Sequence, residues 1–317
     1  DGGVIDAPDV GPDAPPCDPD RPRAVPITTV TIGPGPLEDR VVAFIDGATR
    51  SVDVQMYTFT LTRIADRLIA ADRRGAPTRV LLDPGQNMTS TIRTRLVNGG
   101  VEVRDAPAGF INAHAKYVVV DGERLLLESG NFTNAGMDDQ RNFAVEDSDP
   151  EDVADLVAVF AADWAGTTAT LGCTRLVVTP GNARLRVQTL IANATTSLDI
   201  ALYYLSDTSI RAALFTAKNR GVTIRVLLAS TQEIPENGAT ATALTSAGIS
   251  VRTLQNPVMH AKVIIADGTA ALVGSNNMSQ ASLSNNREVG VILRETGPLS
   301  TVRTRFEGDW TAATPWQ

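Results

Sequence analysis

Histidine and lysine are nearly absent from this 317-residue chain, which contains two histidines and three lysines against 25 arginines. No apolar run approaches the roughly 18 residues that a membrane-spanning helix needs, so no transmembrane segment is predicted. The two cysteines and two histidines do not form a cluster with metal-ligand spacing, so no metal site and no cofactor are predicted. With 43% apolar and 20% charged residues, the remaining composition is that of an ordinary globular protein.

A basic excess is also missing, and this disfavours a nucleic-acid-binding surface. The formal charge is -8, but residues 1–20 alone contain six aspartates and neither lysine nor arginine. The rest of the chain carries 28 basic and 30 acidic residues, a net charge of -2, without a lysine cluster. A nuclease normally presents a basic stripe to the phosphate backbone.

The first 25 residues are rich in Asp, Pro, Gly and Ala and lack a hydrophobic period, which predicts a tail that does not pack. The chain begins at Asp1 rather than Met, and its opening is similar to the spacer that follows the cleavage site of exported bacterial proteins. We therefore expect a secreted or cell-envelope protein, including a lipoprotein-like form.

The two cysteines, Cys17 and Cys173, lie in this tail and between the two halves of the chain. In a reducing cytosol they would remain free thiols. In an exported chain we expect them to form a disulfide that ties the tail across the middle of the molecule.

The body of the chain is a tandem repeat with an offset of 146 residues. The anchors that share this offset are Ser51–Val54 with 197–200, Gly75 with Gly221, Arg79–Leu82 with 225–228, and Phe160, Asp163 and Trp164 with Phe306, Asp309 and Trp310. A period this long indicates duplicated domains rather than a solenoid. We predict a tail over residues 1–25, a first repeat over 26–166 and a second repeat over 167–317.

Each repeat alternates strand and helix patterns. In the first repeat, strands are predicted at 27–32, 52–58, 79–82, 101–104, 116–120 and 124–128, and helices at 37–48, 61–74, 92–97 and 151–164. This order predicts an α/β fold of two tandem repeats with mostly parallel central sheets and helices on the outer faces. We expect the repeats to pack about a pseudo-twofold axis that brings the two histidines together.

Both histidines begin a repeated set of polar residues. Counting from His114 and His260, lysine follows at +2, aspartate at +7, serine at +15 and asparagine at +17. The members of the two sets are Lys116, Asp121, Ser129 and Asn131 in the first repeat and Lys262, Asp267, Ser275 and Asn277 in the second. Position +28 is Asn142 in the first repeat and Glu288 in the second. Lysine at +2 in a chain that otherwise uses arginine indicates a compact ammonium charge.

These side chains are suited to phosphoryl chemistry. Two facing imidazoles can supply a nucleophile and a general acid. The lysine ammonium groups and asparagine amides are donors for phosphate oxygens, while the serine hydroxyls either add to this set or fix the loop. The aspartates are assigned a structural role, because each precedes glycine in a predicted hairpin turn. No metal is needed for this reaction.

The two sets resemble the phospholipase D superfamily, whose signature is His-x-Lys-x4-Asp followed by Gly-Ser-x-Asn, twice per active site. The second repeat matches the whole pattern, and the first departs from it at Glu128, where the first glycine is expected. The resemblance implies that His114 is the nucleophile and His260 the acid, acting through a phosphohistidine.

The residue at +28 is acidic in many relatives, where it orients an imidazole. Across the pseudo-twofold axis we expect Glu288 to orient His114 and Asn142 to face His260, giving unequal imidazole pKa values. A pairing within each repeat would instead put Glu288 beside His260.

The resemblance leaves three functions open. The favoured one is a secreted phospholipase D-type phosphodiesterase acting as a monomer on phospholipid at a membrane or micelle surface, with water or an alcohol as acceptor. The alternatives are a metal-independent nuclease and a non-catalytic phosphate-binding protein. Phe110, Ile111, Val258 and Met259 would contact lipid or pack, and Tyr57, Tyr203 and Tyr204 would line the site or support it. Trp164 and Trp310 are predicted core residues.

Overall fold

A computed structural model describes residues 17–317 of the chain. The first repeat has eight strands, β1 (Thr29–Ile32), β2 (Val52–Met56), β3 (Thr78–Leu82), β4 (Glu102–Asp105), β5 (Tyr117–Val120), β6 (Arg124–Glu128), β7 (Gln140–Arg141) and β8 (Phe143–Asp147). Its α-helices are α1 (Leu37–Asp46), α2 (Thr62–Arg73), α3 (Ser90–Gly99) and α4 (Pro150–Ala165), with short 3₁₀ and π turns at Asn87–Thr89 and Ala135–Asp139.

The second repeat follows a similar order, but its two-residue strand precedes the central hairpin rather than following it, and a final short strand is added. Its strands are β9 (Leu176–Thr179), β10 (Ser197–Leu202), β11 (Thr223–Ala229), β12 (Ser250–Leu254), β13 (Val258–Met259), β14 (Lys262–Ala266), β15 (Ala270–Gly274), β16 (Glu288–Leu293) and β17 (Thr314–Pro315). Its helices are α5 (Ala183–Asn193), α6 (Thr208–Asn219), α7 (Asn237–Ser246), α8 (Gln280–Ser284) and α9 (Thr296–Ala312).

The two large sheets have equivalent strand orders, β1-β8-β6-β5-β2-β3-β4 in the first repeat and β9-β16-β15-β14-β10-β11-β12-β17 in the second. The α/β class and the tandem repeat are therefore confirmed. Parallel pairing holds for β2, β3 and β4 and for β10, β11 and β12, while the other neighbours in each sheet are antiparallel. The prediction of mostly parallel sheets thus applies to these strands alone. Each sheet is mixed because the hairpin that follows each histidine pairs antiparallel with its neighbours.

The helices occupy three layers rather than two. Helices α1–α3 pack on the outer face of the first sheet, and α5–α7 pack on the outer face of the second. Helices α4 and α9 lie in the core between the sheets, where Phe160 and Phe306 pack among strand residues of both repeats. The prediction that the helices cover the outer faces is therefore wrong for α4 and α9. Their apolar stripes are buried against the inner faces of the sheets.

The described part of the N-terminal segment is packed, so the prediction of an unpacked tail is wrong for residues 17–25. Asp20 pairs with Arg186 at 2.7 Å and with Arg294 at 3.0 Å, and Arg23 pairs with Asp152 at 3.0 Å. The predicted disulfide joins Cys17 to Cys173, with the two Cα atoms 5.4 Å apart. These ion pairs and the disulfide replace the hydrophobic burial that the composition lacks. Residues 1–16 lie outside the described part of the chain.

The two repeats exchange short backbone pairings in front of each histidine. Strand β13 pairs in parallel with β7, so that Met259 lies opposite Arg141, and the equivalent bridge joins Ala113 to Arg287. The N–H of His260 donates to the carbonyl of Arg141 at 3.2 Å. Each histidine therefore enters the site from a segment that is fixed by the opposite repeat, as the pseudo-twofold arrangement predicts. In residues 17–317, no helix combines the length and apolarity required to cross a bilayer.

Candidate active site

His114 and His260 each precede the central hairpin of their repeat and contact a side chain of the other repeat. His114 Nδ1 lies 2.8 Å from Glu288 Oε2, and His260 Nδ1 lies 2.9 Å from Asn142 Oδ1. The cross-repeat pairing expected for position +28 is thus confirmed, and the pairing within each repeat is excluded. Repulsion from a protonated His114 contributes to lowering the pKa of His260.

The serine of each motif holds the partner of a histidine. Ser275 Oγ donates to Glu288 Oε2 at 2.6 Å, and Ser129 Oγ donates to Asn142 Oδ1 at 2.8 Å. Each hydroxyl also accepts a backbone N–H, and both serines are fully buried. The prediction that these serines bind phosphate is therefore replaced by the alternative, in which they fix the loop and the imidazole partners.

The amide of Asn142 has a defined orientation. Its Nδ2 donates to the carbonyl of Gly136 at 2.9 Å, which leaves Oδ1 facing the imidazole and the serine hydroxyl. Because Oδ1 is an acceptor, His260 carries a proton on Nδ1 and presents Nε2 to the site. Glu288 imposes the same tautomer on His114.

The two imidazoles have different hydrogen-bond partners, a carboxylate for His114 and an amide for His260. Burial lowers the pKa of His114 to about 4, although the carboxylate of Glu288 acts to raise it. Burial and the neighbouring lysines lower the pKa of His260 well below its ordinary value, and the neutral Asn142 supplies no opposing charge. Burial alone would raise the pKa of Glu288, but His114, Lys116 and Ser275 hold it below its usual range. Both histidines are therefore less basic than free histidine, and the predicted inequality between their pKa values stays a prediction.

Lys116 and Lys262 lie beneath the imidazoles and are only 1% exposed. Lys262 Nζ donates to the carbonyl of His260 at 2.7 Å and lies 3.3 Å from His260 Nε2, and Lys116 Nζ donates to the carbonyl of His114. Burial lowers the pKa of Lys116 to about 7 and that of Lys262 well below its ordinary value. An anion in the site would favour the charged form of both groups.

The motif asparagines remain candidates for binding phosphate. Asn131 and Asn277 are half-buried, and Asn131 Oδ1 accepts the N–H of Thr58 at 3.4 Å. Within residues 17–317, neither Nδ2 group donates to a protein acceptor. These two amides are therefore available as donors.

Two of the predicted tyrosines line the site. The ring centroid of Tyr57 is 4.7 Å from that of His114, and the ring centroid of Tyr203 is 4.6 Å from that of His260. Among the described residues, the Tyr204 side chain makes no hydrogen bond or aromatic pair with a catalytic candidate. Trp164 and Trp310 stack on Phe160 and Phe306 at the edge of the central core, as predicted.

The segments before the histidines have different exposures. Met259 is buried and Val258 is half-buried, so both pack rather than form a surface. Ile111 is 64% exposed, whereas Phe110 lies under the guanidinium of Arg287 at 4.5 Å. Of these four, only Ile111 presents a large apolar surface to solvent.

The motif aspartates are structural, as predicted. Asp121 and Asp267 have φ values of 61° and 54° in the Asp-Gly turns. The carboxylate of Asp121 accepts the backbone N–H groups of residues 49–51, and that of Asp267 accepts those of residues 195–197. These hydrogen bonds hold the pKa of Asp121 at about 2, against the opposing effect of burial, and lower that of Asp267 as well.

Asp83 is a site residue that the sequence reasoning missed. It follows β3, and its Oδ2 accepts the N–H of Ala113 at 2.6 Å, immediately before His114. Its charge also acts on Lys116 and Tyr57. The equivalent position in the second repeat is Ala229, so comparison of the repeats gives no signal for it. Its place at the carboxyl end of a central strand was the available indication.

Two arginines were also missed, although their symmetry is visible in the sequence. Arg287 makes a two-point ion pair with Asp163 at 2.7 and 2.8 Å, and Arg141 lies 2.8 Å from Asp309. Each arginine directly precedes position +28. The two arginines are 146 residues apart, and so are the two aspartates. They connect the site to α4 and α9. Among residues 17–317, no group of three or more His, Cys, Asp or Glu side chains is arranged to hold a metal ion.

Comparison with known proteins supports this arrangement of two motifs. A family model described as cardiolipin synthase, PLD-like domain, matches residues 41–164 and 187–310. The probable cardiolipin synthase YwiE of Bacillus subtilis (strain 168) is 27% identical over 292 residues, which cover 77% of this chain and 57% of that protein. The mitochondrial cardiolipin hydrolase of Xenopus tropicalis is 30% identical over 126 residues, 39% of this chain and 60% of that protein. This chain spans 57% to 66% of three Bacillus and Oceanobacillus cardiolipin synthases that it matches.

Solved structures share the fold at low sequence identity. Phosphatidylserine synthase of Haemophilus influenzae Rd KW20 superposes with a TM-score of 0.73 at 11% identity, covering 92% of this chain and 89% of that one. Polyphosphate kinase of Porphyromonas gingivalis gives a TM-score of 0.71 at 16% identity, covering 88% of this chain and 46% of that one. The two family matches together include most of the chain and both motifs, and we conclude that this protein belongs to the phospholipase D-like family.

Proposed function

We propose that this protein is a phospholipid phosphodiesterase that removes or exchanges the headgroup through a phosphohistidine on His114. The observation that carries the proposal is the pair of imidazoles, each held by a side chain of the opposite repeat and each underlain by a buried lysine. The relatives named cardiolipin synthases favour a phospholipid over a nucleic acid. The near-neutral charge of the body outside residues 1–20 favours it as well.

The first step forms a bond between His114 and phosphorus. The Nδ1–H of His114 donates a hydrogen bond to Glu288, so the Nε2 lone pair is free to attack the phosphodiester. The bond from phosphorus to the headgroup oxygen breaks, and His260 donates its Nε2 proton to that oxygen. Because burial and the lysines disfavour protonated His260, the negative charge of the substrate supplies the stabilisation that this acid needs.

The second step regenerates the enzyme. Water or an alcohol attacks phosphorus, the phosphorus–nitrogen bond breaks, and His260 takes the proton of the attacking hydroxyl. Lys116, Lys262 and the amides of Asn131 and Asn277 bind the non-bridging oxygens in both steps. The donors for one phosphate thus come from a single chain, and we propose that the protein acts as a monomer.

We also propose an exported location, in the cell envelope or outside the cell. The disulfide between Cys17 and Cys173 supports it, because such bonds persist in oxidising compartments. Fractionation of the native source, with the disulfide followed on non-reducing gels, tests this proposal. Recovery in a reducing cytosolic fraction with two free thiols would contradict it.

His114→Ala is expected to abolish headgroup release and covalent phosphoenzyme formation, because it removes the attacking imidazole and leaves His260 in the role of the acid. One reaction measures headgroup release from vesicles of phosphatidylcholine and phosphatidylglycerol in the presence of a primary alcohol. A parallel reaction measures cleavage of single-stranded DNA. Release of the headgroup with formation of a phosphatidyl-alcohol is the expected result, with no nicking of DNA.

Lys218→Met is the matched control, because it removes the one lysine outside the two motifs. This variant is expected to retain wild-type turnover, whereas Lys262→Met is expected to lose most of it. Nicked DNA without phospholipid turnover would replace the proposal with the nuclease alternative. Binding of phosphate without turnover of either substrate would indicate the non-catalytic alternative.

A further inference from the structure

Glu128 is paired with Lys116 through the backbone of the central hairpin. Extending the β5–β6 register by one residue beyond Tyr117 and Leu127 places Lys116 opposite Glu128, and the N–H of Glu128 donates to the carbonyl of Lys116 at 2.8 Å. Residues opposed in this way point to the same face of the sheet. In the second repeat, the residue opposite Lys262 is Gly274, which has no side chain. The first ammonium group therefore has a cross-strand carboxyl neighbour that the second lacks.

The carboxyl group of Glu128 is buried and has no hydrogen-bond partner among the residues that the structure describes. Glu128 is 2% exposed, and neither of its oxygens accepts or donates a hydrogen bond within residues 17–317. Burying an unpaired carboxylate is costly, so such a group is stabilised by becoming neutral or by a nearby positive charge. Lys116 is the cation whose charge acts on it.

Lys116 lies among charged groups from several elements. The charged groups that affect the pKa of Lys116 are Glu128 on β6, Asp83 after β3 and Glu288 on β16. The charge of Lys116 in turn lowers the pKa values of His114 before β5, His260 before β14 and Lys262 on β14. All three carboxyl groups favour its ammonium form. Of the three, Glu128 has no hydrogen-bond partner in the described part of the chain, whereas Asp83 and Glu288 are held by their own hydrogen bonds.

We propose that Glu128 is a positioning residue for Lys116, and that the two side chains exchange protons with solvent as an anion enters the site. This inference rests on the proposed function, in which Lys116 binds the phosphodiester. A bound anion favours the ammonium of Lys116 and disfavours a carboxylate beside it, so the complex contains protonated Lys116 and neutral Glu128. The protons come from solvent, and no covalent bond other than N–H and O–H changes.

The acidity of the two groups is consistent with this coupling. Burial raises the pKa of Glu128 to about 8, although Lys116 acts to lower it. Burial lowers the pKa of Lys116 to about 7, although the carboxyl groups act to raise it. Both groups therefore change protonation near neutral pH in the free protein.

Glu128→Gln tests the coupling, because glutamine mimics the neutral carboxyl group and cannot ionise. Sulfate is the probe, since it keeps its charge over the range used. Calorimetry in buffers of different ionisation enthalpy counts the protons taken up on binding. Wild type is expected to take up more protons than the variant, with a difference near zero at about pH 6 and about half a proton at about pH 8.

The matched control is Glu123→Gln, which alters an exposed carboxyl group on the same hairpin and should leave proton uptake unchanged. Equal proton uptake by wild type and Glu128→Gln at every pH refutes the role of Glu128. If sulfate fails to bind wild type at any pH, the phosphate site fails, and the proposed function fails with it.

Thermal unfolding without ligand gives an independent result. Glu128 ionises near pH 4.5 when unfolded and at about 8 when folded, so its contribution to stability is full below 4.5 and is lost as pH rises towards 8. Glu128→Gln should therefore raise Tm relative to wild type more at about pH 9 than at about pH 5. A difference that does not grow with pH contradicts the inference. Glu128→Gly, which copies Gly274, repeats both tests if the glutamine variant does not fold.

Discussion

At the scale of single residues, the two halves of the site differ chiefly in the side chain behind each histidine. Glu288 gives His114 a carboxylate, while Asn142 gives His260 a neutral amide in the same position. Hydrogen bonding to a carboxylate fixes the tautomer and raises basicity, whereas the amide fixes the tautomer alone. This difference suits His114 to nucleophilic attack and His260 to proton transfer.

Glu288→Gln is expected to lower the pKa of His114, and Asn142→Asp to raise that of His260, each by about 1–3 units for a charge at hydrogen-bond distance. Because the chain contains two histidines, a pH titration followed by NMR resolves both imidazoles without ambiguity. Glu288→Gln should also lower kcat. A change confined to His260 in the Glu288→Gln variant would refute the pairing across the repeats.

Much of this residue-level arrangement could be predicted from the sequence, because both motifs and the unequal +28 position recur at one offset. Asp83 could not be found in this way, since its equivalent in the second repeat is Ala229. It reaches Ala113 because β3 and the segment before β5 end at the same edge of the sheet. That contact depends on the tertiary fold, and the spacing of residues along the sequence does not reveal it.

At the scale of the elements, the Asp-Gly turn connects each hairpin to the loop after the first helix of its repeat. The Asp121 carboxylate accepts three backbone N–H groups and the hydroxyl of Thr49. The turn therefore holds β5 and β6 in place beneath His114. The sequence predicted the turn but not this second contact, because the accepting loop lies some seventy residues away in the chain.

Asp121→Ala is expected to cost about 1–3 kcal/mol of unfolding free energy, because several donors lose their acceptor. Asp121→Asn is expected to cost less, since asparagine also tolerates positive φ but lacks the charge. Urea unfolding measures both. The folded pKa of Asp121 is about 2, so the stabilisation is full above the unfolded value of 3.8 and is lost as pH falls through about 2. A wild-type advantage over Asp121→Asn that persists unchanged at the lowest pH would contradict this account.

Element boundaries were predicted well where periodicity was long, as for α2 and α4. The two-residue strands β7 and β13 were not predicted, because neither is long enough to show a pattern. Their pairing depends on the opposite repeat. They nevertheless fix the approach of the histidines.

At the scale of the whole molecule, the repeats share one central core, and two buried ion pairs cross it. Helix α4 carries Asp163 to Arg287 of the second repeat, and α9 carries Asp309 to Arg141 of the first. The repeat and its period were evident in the sequence. The position of α4 and α9 between the sheets was not, because an amphipathic stripe shows that a face is buried but not what covers it.

Removal of one partner from the Arg287–Asp163 pair is expected to destabilise the whole molecule. Arg287 is 5% exposed in its side chain and Asp163 is fully buried, so Arg287→Met leaves an uncompensated carboxylate in the core. Loss of one partner of such a pair costs about 3–5 kcal/mol, whereas replacing both with apolar residues costs much less. Urea unfolding of Arg287→Met, Asp163→Leu and the double variant measures the coupling, with Arg141 and Asp309 as the matched pair. Additive losses in the double variant would show that the pair does not hold the two repeats together. A large coupling energy would mean that the Arg287–Asp163 ion pair both stabilises the fold and fixes the position of the neighbouring Glu288 in the site.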